Sequence, residues 1–170
     1  MQMTLGGKSP RLDASALVVA SADLIGDVTI AAEASIWFQV VLRGDINAIR
    51  IGMRTNIQDG TIGHVSRSRP LVIGDEVTVG HRAILHACEV RRGCLVGMGA
   101  IVMDGAIIGE DSLVGAGALV TQGTVIPPRS LVLGAPATVR RPLSDDELAF
   151  LQGSWKRYVG YAKAYHTDAR

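Results

Sequence analysis

Aromatic side chains are scarce in this chain: two Trp, three Tyr and two Phe among 170 residues. Layered globular cores draw much of their packed area from such rings, so a conventional two-layer domain fits poorly. Cysteine is almost absent as well. Cys88 and Cys94 stand six apart and form neither a C-x-x-C pair nor a disulfide framework, so reduced thiols and a cytoplasmic location are expected. Charge of one sign is also missing. The net charge is +1 with 19% charged residues, which argues against a nucleic-acid or other polyanionic partner. No segment approaches 18 uninterrupted apolar residues, and the opening MQMTLGGKSPRLD has no apolar signal core; neither a membrane span nor a membrane partner is expected. At this length one well-cored domain is the expectation.

What is present is a repeat. Aliphatic residues fall at Ile30, Ile36 and Leu42, at Ile51 and Ile57, and at Ile73, Val79 and Leu85. They then run unbroken at spacing six through Val90, Val96, Val102, Ile108, Val114, Val120, Ile126 and Val132. A period of six excludes an amphipathic helix, whose pattern closes every 3.6 residues. It is the pattern of a hexapeptide β-helix, each hexad supplying a short strand and a turn. Gly97-Met98-Gly99 and Gly115-Ala116-Gly117 lie 18 apart, which implies three hexads per coil and a triangular prism. The GxG triplets are then turns of the repeat, because no βαβ unit surrounds them. Residues 1–23 read as a lead-in, and the repeat closes at Gly134-Ala135-Pro136-Ala137, where Pro136 ends ladder bonding. Ser144-Asp145-Asp146-Glu147 has the residues of a capping box and opens a helix. Leu148, Leu151, Trp155, Tyr158, Val159, Ala162 and Tyr165 follow at helical spacing, with Gly153 as a weak point. The expected layout is an all-β solenoid of hexapeptide repeats over residues 1–140 and an α-helix over 141–170 lying along it. Flat-sided prisms of this size associate side to side, and a closed homotrimer is expected although dimers are commoner in general.

Three histidines interrupt a pattern that calls for small and apolar residues. Leu85 and position 63 are inward, so His86 and His64 occupy the same slot one coil apart, four surplus residues looping out through Val65–Pro70. His81, two after inward Val79, belongs to a neighbouring corner. One chain can hardly bring all three to one ion; a threefold interface can, with His64 and His86 from one subunit and His81 from the next. Three imidazoles with an open fourth position make a catalytic zinc arrangement, though iron or cobalt would also accept them. Surface histidines without a metal are the plainer reading, and one that suits any single residue better than the register-matched set. The fourth, His166, reads as a solvated tail residue. Nearby, Arg43 and Asp45 can pair and lock subunits, the Gln58 amide can orient a hydroxide, and Asp59 can hold a histidine's second nitrogen.

The strings LRGDINAIRIG, NIQDGTIGHV, VGHRAILHACEV and VGMGAIVMDGA resemble the gamma-class carbonic anhydrase family over roughly residues 10–142. The resemblance implies a left-handed parallel β-helix, a homotrimer, and a divalent ion held between subunits by His64, His81 and His86. It implies an interface pair in Arg43 and Asp45, an orienting residue in Gln58 with Asp59 beside it, and a tyrosine near the metal in Tyr158. The activity implied is hydration of carbon dioxide to bicarbonate by a zinc-bound hydroxide. Some members carry a glutamate shuttle after the first ligand, whereas this chain has VSRSRP there. The C-terminal segment resembles a subfamily tied to phenylacetate or carnitine catabolism and to acyl-CoA thioester hydrolysis, for which Arg67 and Arg69 offer phosphate contacts. A metal-free hexapeptide acyltransferase and a non-catalytic trimeric scaffold complete the alternatives.

Overall fold

The computed structural model describes residues 1–168, with side chains through Tyr165; the His166 side chain lies outside that part. The chain winds into a parallel β-solenoid of about seven coils followed by one helix. On the first face lie Ile62–His64, Ile84–His86, Ile101–Val102 and Leu119–Val120; on the second, Leu71–Ile73, Glu89–Val90, Ile107–Ile108 and Val125–Ile126. The third carries Leu17–Val18, Ser35–Ile36, Asn56–Ile57, Thr78–Val79, Leu95–Val96 and Leu113–Val114. Two long strands, Asp23–Ile30 and Val41–Ile51, bend round the corner from the first face to the second. Alternation along each short strand sends one aliphatic residue into the prism, and the inward column is fully buried at Ile36, Ile57, Val79, Val96, Val114 and Val132.

Coil length varies, but only in one place. Between inward residues of the first and second faces, Leu24 to Ile30 takes six residues, Leu42 to Ile51 nine and Gly63 to Ile73 ten. Leu85 to Val90 takes five, with Ala87 in the left-handed region at φ 46°. Every departure from the 18-residue coil therefore falls on the corner that carries His64 and His86. Gly63 is inward there in place of an aliphatic residue because a Cβ would lie 2.6 Å from Leu42 Cδ2 and 2.9 Å from Leu71 Cδ2.

Three sequence expectations need correction. Residues 1–23 are part of the solenoid: Gln2–Met3, Arg11–Leu12 and Leu17–Val18 pair in parallel with the next coil. Their weak apolar pattern reflects a terminal coil with one side uncovered. The ladder does not stop at Pro136, since Ser130–Gly134 turns back antiparallel onto Ala137–Pro142. Helix α1, Asp145–Asp168, runs unbroken through Gly153. Its start is the expected capping box, with Glu147 N donating to Ser144 Oγ at 3.3 Å and Ser144 N donating to Glu147 Oε2 at 2.8 Å. Leu151, Ser154 and Ala162 form its buried stripe, and it lies against the first four coils of the third face.

The N-terminal coil is tied down by charge. Asp27, 7% exposed, receives Arg50 at 2.7 Å, Lys8 at 3.1 Å and Arg11 at 3.3 Å. The Arg50 hydrogen bond, with help from Lys8 and against the opposing effect of burial, holds its carboxyl down at about 2. A depressed carboxylate pKa contributes stability above the unfolded value near 4, and that contribution is lost as pH falls through 2. Asp27→Asn is expected to cost about 1–2 kcal/mol at pH 7 and to flatten the stability curve between pH 4 and 2, as read by urea melts across that range.

Candidate metal centre

His64 and His86 are adjacent in the ladder, with Arg43 one coil before them. Each histidine directly follows an inward residue, Gly63 or Leu85, at the end of its strand, so its side chain turns outward. His64 Nε2 lies 3.0 Å from Asp45 Oδ1, and Asp45 is also paired with Arg43 in the same chain. Burial alone would raise the Asp45 carboxyl, but the hydrogen bonds from His64 and Arg43 outweigh it and leave the carboxyl below its ordinary value. His86 Nδ1 lies 2.5 Å from Asp104 Oδ1. A carboxylate only accepts, so each of these ring nitrogens carries the proton. The remaining two nitrogens, His64 Nδ1 and His86 Nε2, then face each other at 3.0 Å. A spacing that short is bridged by a shared proton or by a cation that both nitrogens ligate. A tetrahedral ion bonded to each at about 2.0–2.1 Å spans about 3.3–3.4 Å, so this donor set fits a metal after a shift of a few tenths of an ångström.

The third imidazole is on the next corner. His81 Nδ1 lies 2.9 Å from Asp59 Oδ2, one coil earlier. Among the described residues, no group of three or more His, Cys, Asp or Glu in this single chain is gathered around one point, in keeping with histidines on separate corners. Between the two corners runs the first face, whose outward ladder column is Val41, Ile62, Ile84, Ile101 and Leu119. Ile62 is 39% and Ile84 42% exposed, an uncovered aliphatic strip flanked on each side by histidine.

Gln58 and Tyr158 meet at the His81 corner. Both line, with His81, a cavity of about 390 Å³ whose apolar walls include Leu95, Leu113, Met98 and Phe150. Gln58 is buried and its Nε2 donates to Asn56 Oδ1 at 3.0 Å. Tyr158 sits edge-on to Trp37 with centroids 5.6 Å apart. Its hydroxyl pKa is pushed up, by burial first and then by the nearby Asp59 charge, so it stays protonated at neutral pH. Of the residues singled out in the sequence, Arg43, Asp45, His64 and His86 gather at one corner and Gln58, Asp59 and His81 at the other, which Tyr158 reaches from helix α1; Arg67 and Arg69 lie in the loop that follows His64. Asp104 was missed. The signal existed, since it falls one 18-residue coil after His86, but Asp104-Gly105 reads as an ordinary turn of the repeat.

Residues 87–122 match the bacterial transferase hexapeptide family (six repeats). A carbonic anhydrase from Geobacillus kaustophilus is 46% identical over 94% of this chain and 87% of its own length. Gamma carbonic anhydrase 1, a mitochondrial protein of Arabidopsis thaliana, is 43% identical over 98% of this chain. The chain belongs to the gamma-class carbonic anhydrase family. It spans 62% of the plant member's length. Among solved structures, a Bacillus cereus protein named as a candidate acetyltransferase superposes with a TM-score of 0.96 at 40% identity, covering 98% of this chain and 96% of that one. Names within the gamma-class fold therefore point both to carbon dioxide and to acyl transfer, and the site must decide between them.

Proposed function

We propose that this chain is a gamma-class carbonic anhydrase that interconverts carbon dioxide and bicarbonate. It would work as a homotrimer, with a divalent cation (zinc, or else iron or cobalt) held by His64 and His86 of one subunit and His81 of the next. The observation that carries this reading is the pair of imidazole nitrogens facing each other at 3.0 Å, each ring fixed from behind by a carboxylate. The aliphatic strip between the corners supports the trimer, because covering it brings another copy's corner within reach. When bound, the cation supplies acidity, bringing the pKa of nearby water to about 7.

The chain's own residues do the rest. Asp45, Asp104 and Asp59 set which nitrogen of each histidine is free and hold the rings in place. Gln58 orients the attacking oxygen, and the protonated Tyr158 hydroxyl donates to an oxygen of the substrate. Arg43 keeps Asp45 charged and aimed at His64. The two free thiols, both buried, fit a reducing compartment, and we assign the protein to the cytoplasm. Metal analysis with stopped-flow hydration decides the proposal: full metal occupancy with only the uncatalysed rate refutes it. Asp104→Ala is expected to weaken metal binding about 10–100-fold in a chelator competition, while wild-type affinity in that variant would remove Asp104 from the site.

A second reading, hydrolysis of an acyl-CoA thioester, is favoured by the 390 Å³ cavity beside His81, which is larger than carbon dioxide requires. Its test is turnover of acyl-CoA by the metal-loaded protein and loss of that turnover in Arg67→Ala/Arg69→Ala.

A further inference from the structure

Five of the chain's seven aromatic residues gather in one place. Trp37, Phe38, Tyr158, Tyr161 and Tyr165 line a cavity of about 350 Å³ between the solenoid and the second half of helix α1, and the charged group on its wall is Asp59. Register explains the gathering. Phe38, Asp59 and His81 each stand two residues after the ladder partners Ile36, Ile57 and Val79, so they stack in consecutive coils along the corner between the third face and the first. Coils are about 4.8 Å apart, which sets Asp59 one coil from His81 and Phe38 two. Tyr158, Tyr161 and Tyr165 come down on them from the helix, at spacings of three and four that keep them on one side.

Seating the helix does not account for these rings. Leu151 and Ala162 are already buried, and so is Trp37, at 5% exposure. Phe38, Tyr161 and Tyr165 are 41%, 52% and 45% exposed, so each leaves much of a ring in water. The rings meet edge to face. Centroids lie 5.6 Å apart for Trp37 and Tyr158, 5.0 Å for Trp37 and Tyr165, 6.1 Å for Phe38 and Tyr165 and 5.5 Å for Tyr158 and Tyr161, at interplanar angles of 62–87°. Rings set so steeply to one another stand as walls around a space instead of filling it as a stack.

The space is electrically negative. Aromatic faces carry the negative part of the ring quadrupole, and Asp59 adds a charge that, together with burial, raises the Tyr158 hydroxyl. Asp59 Oδ2 accepts from His81 Nδ1 at 2.9 Å, but a carboxylate has about four acceptor positions, and a neutral imidazole leaves its charge in place. Such walls disfavour an anion. A bare ammonium is compact and strongly hydrated, whereas a methylated one spreads its charge over apolar groups that match the rings. We propose that this cavity binds a quaternary, methylated ammonium group, held by cation–π contact with the rings and by the Asp59 charge. The site stands whichever reaction the neighbouring histidines serve.

The test uses the full-length, metal-loaded protein, with choline as the probe. The reference is its neutral carbon isostere, in which tert-butyl replaces trimethylammonium. Ring currents are expected to move the choline methyl protons upfield in NMR titrations, and choline is expected to bind about ten-fold more tightly than the isostere. Phe38→Leu and Tyr161→Leu keep apolar bulk at exposed positions and remove one ring each. Either is expected to weaken choline about three-fold or more, with metal content unchanged. Equal binding of the two probes overturns the proposal, since the cavity would then be selecting apolar bulk alone. Unmoved choline signals overturn it as well, and would mean that the rings seat the helix or meet another copy of the chain. Full choline affinity in both variants would exclude the rings as the binding surface.

Discussion

Alanine at His64, His81 or His86 should abolish bound metal and lower carbon dioxide hydration by roughly 10³-fold or more, since the acidity of the nucleophile comes from the ion. The informative experiment mixes the inactive variants. His64→Ala lacks one corner and His81→Ala the other, so subunits refolded together form interfaces in which an intact His64–His86 pair meets an intact His81. Equal amounts in a closed trimer give about a quarter of sites complete, and activity should return to about that fraction. His64→Ala mixed with His86→Ala is the control. Both ligands sit on one corner, their rings 3.0 Å apart at the facing nitrogens, so no arrangement of subunits repairs the site. Recovery in the control, or none in the first mixture, would show that the three histidines are not shared between chains in this way.

The second large effect is structural. A Cβ on Gly97 would lie 2.4 Å from Ala116 N, 2.6 Å from Gly115 C and 2.8 Å from Ala116 Cα. All three are main-chain atoms of the next coil, so no side-chain rearrangement relieves the clash, and the coil spacing is set by the ladder hydrogen bonds. Gly97→Val is expected to cost about 3 kcal/mol or more, seen as a collapse of soluble yield or a large loss in denaturant melts. Gly99, two residues on, has φ +66° with nothing within 4 Å of its Cβ position. Gly99→Ala should cost only the left-handed backbone strain, about 1–2 kcal/mol. Equal losses at the two positions would mean that coil stacking is looser than the contacts imply.

Much of the centre could be read from phase alone. Counting hexads placed His64 and His86 in one slot, put His81 on another corner and located the surplus loop at 65–70. Period-six aliphatics cannot report what happens where the period is broken, which is why the nine-residue corner from Leu42 to Ile51 was visible only as a gap. Asp104 escaped for the opposite reason: it obeys the period, and a turn residue that also grips a histidine looks like every other turn residue. The opening coil was missed because Gly6, Gly7 and Pro10 resemble loop punctuation, while Leu12 and Val18, each 18 residues ahead of a core isoleucine, gave too short a pattern. Asn56 and Thr78 share a slot one coil apart, each just before an inward residue, but no sequence spacing joins them to Ser154 on the helix, which Thr78 meets only in three dimensions.

The confinement of every irregular step to one edge of the prism has a consequence for how such a site varies. Residues can be added or removed along Val65–Pro70 or at Ala87 without shifting the phase of any other corner, because each coil re-enters its ladder at the second face. The two regular edges act as a fixed ruler, and the third as a slot where length is free. A loop grafted between Ser66 and Arg69 would therefore project beside His64 while His81, Asp59 and Gln58 kept their places. Changing what lies over the His64–His86 corner, and so which molecules reach it, requires no redesign of the scaffold that carries it.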